Sequence, residues 1–241
     1  AGFIGSHIVR ALLERGDGVR VLDNFSTGRR ENLAELSGRI EVQEGDLRDV
    51  TIRREAISGV DAVFHQAAFV SVPQSMQEPL VCFDVNVQGT ACLLEAARRA
   101  GCQRVVLASS AAVYGNAEQI PIDEETALHP LSPYAVSKRV DEIYAQLYTH
   151  SFGLDVAALR YFNACGALPN RGEAHRPESH LIPLVLQVPL GRRDSANIYG
   201  TDYPTPDGTC IRDYIHIADL VAAHLLALDG LAERDRLIYN L

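Results

Sequence analysis

Tyr134 and Lys138 are four residues apart in the stretch Tyr134-Ala135-Val136-Ser137-Lys138. That spacing puts both side chains on one face of a helix, one turn apart. A phenol beside an ammonium is an acid–base pair. A free tyrosine ionises near pH 10, so abstracting a proton near neutrality requires that value to fall by about 3, worth roughly 4 kcal/mol. A neighbouring cation in a partly water-free site favours the phenolate in this way. On a bare helix such a pair is by default a solvated one. Here it follows the segment Ser109-Ser110-Ala111-Ala112-Val113-Tyr114-Gly115, which closes an apolar run. Strand ends of this kind are where open α/β sheets bind ligands, and the Ser110 hydroxyl placed there can share a substrate proton with Tyr134.

A second group of residues suits a dinucleotide. Gly2-Phe3-Ile4-Gly5 opens a helical stretch, and glycines at such a turn let backbone N–H groups approach a pyrophosphate at the positive end of the helix. The first glycine of the full pattern, and the strand before it, are expected upstream of Ala1. Asp23 ends the next apolar run, Val19 to Asp23, where a carboxylate accepts hydrogen bonds from ribose hydroxyls and repels a 2′-phosphate, which predicts NAD rather than NADP. Gly45-Asp46-Leu47 follows a third run, and Asp46 is read either as a contact to an adenine amino group or as a helix N-cap.

These groups must be carried by alternating elements. Short apolar strands are predicted at 19–23, 40–42, 62–65, 105–108 and 156–160, with helices between them at 5–15, 86–100 and 134–150. This pattern gives an α/β fold with a mostly parallel, doubly wound sheet of Rossmann type. Beyond Asn163 the loop-forming stretches Pro169 to Ala174 and Tyr203 to Gly208 mark a small, irregular lobe. The expected division is a dinucleotide-binding domain over 1–162 and a substrate lobe over 163–241, interleaved with the last sheet elements. The chain ends on Leu237 to Leu241, read as a strand just entered.

Composition narrows the function. With 47% hydrophobic and 22% charged residues, the chain can build a sizeable core. A net charge of −9 argues against nucleic acid or anionic lipid as a partner, because both demand basic patches. No apolar run approaches the roughly 20 residues that cross a bilayer. Cys82, Cys92, Cys102, Cys165 and Cys210 are odd in number and include no Cys-x-x-Cys pair. They are read as free thiols of a reducing, cytoplasmic compartment, and the eight histidines show no metal-ligand spacing, so no metal is expected.

The turn from Gly2 to Gly5, with Asp23, Ser110, Tyr134 and Lys138, resembles the extended short-chain dehydrogenase/reductase superfamily. The segments Leu159 to Asn163, His180 to Pro183, Gly191 to Arg193, Gly200 to Thr209 and Ile211 to His216 narrow the resemblance to the UDP-hexose 4-epimerases within it, over essentially the whole chain. The resemblance implies an NAD-dependent isomerase acting on UDP-glucose and UDP-galactose, and a homodimer. It implies that Tyr134 is the base, that Lys138 holds the nicotinamide ribose, and that Ser110 bonds the reacting hydroxyl. It assigns Phe3, Ile4, Asp23, Asn24, Asp46, Leu47, Gln66, Ala67, Ala68, Asn86 and Phe162 to the cofactor. Asn163, His180, Leu181, Asn197, Ile198, Tyr199 and Arg212 fall on the UDP-sugar. The Arg212 guanidinium suits a diphosphate, and its plainer reading is an ion pair with Asp213. The segment from His65 to Pro73 is closer to epimerases of N-acetylated sugars and to nucleotide-sugar dehydratases, which leaves 4,6-dehydration and N-acetylated hexoses as alternatives.

Overall fold

The computed structural model describes residues 1–168, 171–173, 178, 180–231 and 237–241. Helix α1 (Phe3–Arg15) begins at the extended residue Gly2 and stops at Gly16, whose φ of 95° lets its N–H return to the carbonyls of Leu12 and Leu13. Strand β1 (Arg20–Asp23), a 3-10 segment (Arg30–Leu36) and strand β2 (Glu41–Glu44) follow. Next come α2 (Val50–Ile57), β3 (Ala62–His65), α3 (Val72–Gln77), α4 (Pro79–Phe83) and α5 (Gly89–Ala100). Between α4 and α5, the residues Asp84–Gln88 form a π-helical turn, so Pro79 to Ala100 is one uninterrupted helical run. Strand β4 (Arg104–Ser110), a 3-10 turn (Ala111–Tyr114), α6 (Pro133–Phe152) and β5 (Asp155–Tyr161) complete the central block.

The lobe adds short strands β6 (Asn163–Cys165), β7 (Ala167–Leu168) and β8 (Arg171–Gly172), then α7 (Leu181–Gln187) and β9 (Tyr214–His216). Helix α8 (Ile217–Gly230) and strand β10 (Ile238–Asn240) return to the main body. The principal sheet has the order β10-β5-β4-β3, all parallel, and β1 pairs in parallel with β2. Parallel neighbours require long crossovers, which α5, α6 and α8 supply. In the lobe β6 pairs with β9 in parallel and β7 with β8 antiparallel.

Helix α1 ties the two parallel blocks together. Its Val9 packs with Val21 of β1 and with Leu33 and Leu36. Its Ile8 packs with Ile217, Leu220 and Val221 of α8, against Phe64 and Tyr161 of the main sheet. The largest core cluster lies between that sheet, α5 and α6, and contains Leu94, Ala97, Val105, Leu107, Ala145, Val156 and Ala158. The run Pro79–Ala100 is, by length and composition, apolar enough to cross a bilayer, its most apolar 18-residue stretch having a mean hydropathy of 1.2. Leu94 and Ala97 within it are fully buried in the core, as in the apolar core helix of a folded domain.

Candidate active site

Helix α6 delivers the proposed acid–base pair. Pro133 occupies its first turn and the Ser132 hydroxyl caps it by accepting from the Ala135 N–H at 3.1 Å. The Tyr134 N–H is held from α3 by Ser75 Oγ at 3.3 Å. Lys138, four residues on, is buried to 3% exposure, and its Nζ lies 3.4 Å from Asp141 Oδ2. A buried ammonium needs such a counter-charge. Ser110 ends β4, where its hydroxyl accepts from the Ala112 N–H at 3.2 Å and turns the chain into the 3-10 segment.

Around these groups the structure builds a polar network that the sequence reading did not single out. Glu142 is fully buried and accepts from Ser109 Oγ (2.7 Å), from Arg160 Nε (2.7 Å) and Nη2 (2.9 Å), and from Arg139 Nη1 (3.2 Å). Arg160 also donates to the Tyr114 hydroxyl at 2.7 Å, which donates to Asn240 Oδ1 at 2.7 Å. Burial works against the charge on Arg160, and the bonds to Glu142 and Tyr114 outweigh it, holding the guanidinium above its ordinary value. Helix α6, the ends of β4 and β5, and β10 are thereby locked together beside Ser110. The acids at the third and fourth positions after Lys138 were the available signal, since that spacing keeps them on the face carrying Tyr134 and Lys138.

The residues assigned to the cofactor gather along the ends of the strands. The first turn of α1 has no side-chain cap, so its N–H groups are open to an anion. A Cβ on Gly2 would meet nothing within 4 Å, whereas one on Gly5 would reach Gln66 Cβ at 4.0 Å, and Phe3 and Ile4 between them pack on the cluster around Ile8 and Ile217. Asp23 Oδ1 accepts from the Phe25 N–H at 2.7 Å. Gly28 sits against that carboxylate, where a Cβ would be 2.7 Å from Oδ2. The Asn24 amide donates to Asp46 Oδ2 at 3.2 Å.

Asp46 is not an N-cap; Asp49 is, accepting from the N–H groups of Thr51 and Ile52. The chain spends one further residue pair in a turn before α2, and Asp46 instead binds Arg48 through both its backbone N–H and its guanidinium. Those bonds hold its carboxyl well below the usual range. Leu47 packs on the main core. Asn86 is buried in the π turn, donating to Ser137 Oγ (2.8 Å) and the Phe69 carbonyl (3.0 Å) and accepting from the Phe69 N–H (2.7 Å). It thus pins the segment carrying Ala67 and Ala68 against α6.

Gln66 meets Tyr161 and His224. The His224 Nδ1 lies 2.7 Å from the Leu220 carbonyl, which can only accept, so Nε2 is left as the acceptor for the Tyr161 hydroxyl at 2.5 Å. Burial lowers His224 to about 4 and raises the Tyr161 phenol, with Tyr134 close enough to add to the rise.

The groups assigned to the sugar nucleotide are less closely assembled. Phe162 donates its N–H to the Leu241 carbonyl at 2.8 Å, and Asn163 bonds the Asp213 carbonyl through both its backbone and its side chain, which brings it next to Arg212. Arg212 is exposed, and its guanidinium contacts only its neighbour's carbonyl at 3.1 Å among the described residues; the alternative ion pair with Asp213 is not formed. Asn197, Ile198 and Tyr199 are exposed on a long loop. His180 caps α7 ahead of Leu181, and its imidazole pairs with Glu173, which raises it. Among the described residues, these hydrogen bonds and ion pairs of Asn163, His180 and Arg212 do not reach the Tyr134 pair.

A parallel sheet wrapped by helices, with an uncapped helix start facing an acid at the next strand end, makes this a nucleotide-cofactor enzyme of the α/β class. The chain belongs to the NAD dependent epimerase/dehydratase family, whose model matches residues 1–241. It is 46% identical over 246 residues to the UDP-glucose 4-epimerase of Streptomyces lividans, covering all of this chain and 73% of that protein. It superposes with a TM-score of 0.93 on the UDP-glucose 4-epimerase of Brucella ovis in complex with NAD, at 42% identity, covering 100% of this chain and 74% of that one. The Bifidobacterium longum UDP-glucose 4-epimerase in complex with NAD+ and UDP gives 0.90 at 32% identity, covering 100% and 75%. The uncapped α1 start, the open space at Gly2 and the Asp23 carboxylate fit the NAD that the family requires.

Proposed function

We propose that this chain interconverts UDP-glucose and UDP-galactose by inverting C4 of the sugar. The supporting observation is the buried Lys138 one turn from Tyr134, beside a strand end that offers Ser110 and no acid. Bound NAD would supply the hydride acceptor for C4 oxidation and the hydride donor for reduction from the opposite face. Tyr134 removes the O4 proton as the hydride leaves and returns it when the 4-keto sugar is reduced. Lys138 supplies the positive field that makes the phenol a competent base and holds the nicotinamide ribose. Ser110 bonds the reacting oxygen. Gly2, Phe3, Ile4 and Gly5 cradle the pyrophosphate, Asp23 and Asn24 hold the adenosine ribose, and Asp46 and Leu47 meet the adenine. Gln66, Ala67, Ala68, Asn86 and Phe162 line the remaining cofactor path.

The substrate is bound by its diphosphate. Arg212, whose guanidinium pairs with no carboxylate among the described residues, is the anchor, and Asn163, His180, Leu181, Asn197, Ile198 and Tyr199 complete the UDP-hexose site. Firm diphosphate anchoring with loose hexose contacts is what rotation of a keto sugar requires. Residues 163–241 act as the substrate lobe on a 1–162 cofactor domain. Leu80 and Phe83 of α4 with Ile143 and Leu147 of α6 leave an exposed apolar face on two packed helices, which supports a homodimer through this face. The five free thiols support a cytoplasmic location.

Loss of water from the 4-keto sugar would need an acid and a base near C5 and C6. Ala111 and Ala112, in the turn that follows Ser110, cannot move a proton. Incubation of the full-length protein with UDP-glucose and no added NAD decides the matter. An isomer of unchanged mass with inverted C4 by NMR is expected, and a product lighter by one water would overturn the reading in favour of a dehydratase.

A further inference from the structure

Of the charges on the acid–base helix that the mechanism above leaves unused, Asp141 is the one in contact with Lys138. Asp141 is buried to 3% exposure, with one oxygen 3.4 Å from Lys138 Nζ and the other without a hydrogen-bond partner among the described residues. Its polar neighbours come from several elements. From α6 come Lys138 and Glu142, the latter already engaged by Arg160 and Arg139. From α5 comes Thr90, whose hydroxyl favours the ionised carboxyl and lies 3.0 Å from His65 Nε2 on β3. From α4 comes the Cys82 thiol, pushed up by burial and facing both Lys138 and Asp141.

We infer that Asp141 is a positioning residue of the reaction: its carboxylate fixes the Lys138 ammonium and moderates the positive field that Lys138 places on Tyr134. This rests on the Tyr134 and Lys138 roles proposed above. An unopposed buried ammonium would make Tyr134 a ready phenolate but a poor proton donor. Epimerisation needs both functions in one turnover, because the proton taken from O4 must be returned to it. A base and acid that works in both directions is best matched to the operating pH, and an anion behind the lysine provides that match. Burial raises the Asp141 carboxyl to about 6 against the opposing pull of Lys138, so the moderating charge is present at neutral pH. His65 cannot substitute for Lys138 as a cation there, because burial first and Lys138 second hold it down to about 3.

The effect has a definite sign and size. Seven residues of helical rise separate Tyr134 from Asp141 by about 10 Å, and removing a unit charge at that distance with an effective dielectric of about 20 shifts a titration by about one pH unit. The test compares the holoenzyme with Asp141→Asn and Asp141→Glu. The ultraviolet absorbance of ionised tyrosine is titrated in each, with and without Tyr134→Phe, so that the difference isolates Tyr134. Tyrosinate at position 134 is expected to form about tenfold more readily in Asp141→Asn, the acid limb of the kcat–pH profile moving down with it, while Asp141→Glu stays near the parent. No displacement in Asp141→Asn, an upward one, or equal displacement in both variants would overturn the inference. If Asp141→Asn fails to fold, Thr90→Val provides the same measurement: loss of the hydroxyl leaves Asp141 less ionised, and a smaller downward displacement is expected, none or an upward one being contrary. Retained turnover in Tyr134→Phe would refute the underlying mechanism, whereas an inactive Tyr134→Phe with an unmoved titration would refute the role of Asp141 alone.

Discussion

Replacing Glu142 by Gln removes one charge from the polar lock beside Ser110 while keeping its shape. Glu142 is fully buried and Arg160 is 2% exposed, so solvent cannot take over when the pairing is lost. Arg160 would keep its bonds to the Tyr114 hydroxyl at 2.7 Å and the Glu124 carbonyl at 3.3 Å, neither of which is a counter-charge. Leaving a buried charge without its partner costs about 3–5 kcal/mol. Gln can still accept from Ser109, which argues for the lower end, about 3 kcal/mol. For a chain of this size that is a fall in melting temperature of roughly 6–12 °C. Urea unfolding followed by circular dichroism measures it directly. A loss under about 1 kcal/mol would show that the lock is not a buried ion pair in solution. The double variant Glu142→Leu, Arg160→Met supplies the second arm: removing both charges is expected to recover much of the loss, because the cost lies in the unpaired ion. A double variant as unstable as the single one would refute that account.

Tyr134→Phe is expected to keep the fold and NAD binding and to lower turnover by at least about 100-fold, the low end for losing a general base; a near-parental rate would remove Tyr134 from the mechanism. Calorimetric titration of nucleotide-free protein is expected to favour NAD over NADP, because Asp23 would face the 2′-phosphate, and equal affinity would mean that the carboxylate points elsewhere. Acid stability follows from the buried histidines. Burial lowers His65 to about 3 and His224 to about 4, so both stay neutral in the folded protein while the unfolded chain protonates them below about 6.5. The unfolded state then binds more protons, and stability falls as pH drops from about 6.5 towards 4. Asp141, raised to about 6, acts in the opposite sense, the folded state holding its extra proton between about 6 and 4. Two protons against one leave a slope of about 1.4 kcal/mol per pH unit near pH 5. Unfolding midpoints measured across that range are expected to flatten in His224→Gln, and a flat profile in the parent would contradict the assignment.

What the sequence makes legible is what local spacing determines. Tyr134 and Lys138 are one helical turn apart whatever else the chain does, and the apolar runs ending in Asp23 and Ser110 mark strand ends without reference to their partners. The parallel sheet follows from the alternation of those runs with helices. The polar groups behind the site are a different case. Asp141, Glu142 and Thr90 look like solvent-facing residues by type, and their burial is decided by β3, β4 and β5 arriving from distant parts of the chain. His65 reads as the end of a strand and gives no hint that it meets Thr90. The choice of Asp49 over Asp46 as the cap depends on where a turn closes, which composition alone leaves open. The loop with Asn197 and Tyr199 has no periodicity to read, so only the family resemblance assigns it to the substrate.

The π turn at Asp84–Gln88 bears on how this protein can change over generations. A π turn holds one residue more than an α turn, and an α-helix turns through about 100° per residue. Everything after Gln88 is therefore rotated by about that angle relative to an unbroken helix. Upstream, Leu80 and Phe83 face outward; at the turn Asn86 points at α6; downstream, Leu94 and Ala97 face the core. These three orientations are compatible only because of the additional residue. Substitutions at Val85 or Gln88 leave this phase relation intact, whereas losing one residue here would turn either the Asn86 contact or the core face out of place. Residue count at this stretch is thus a structural constraint in its own right, alongside the identity of Asn86, whose bonds to Ser137 and Phe69 depend on it.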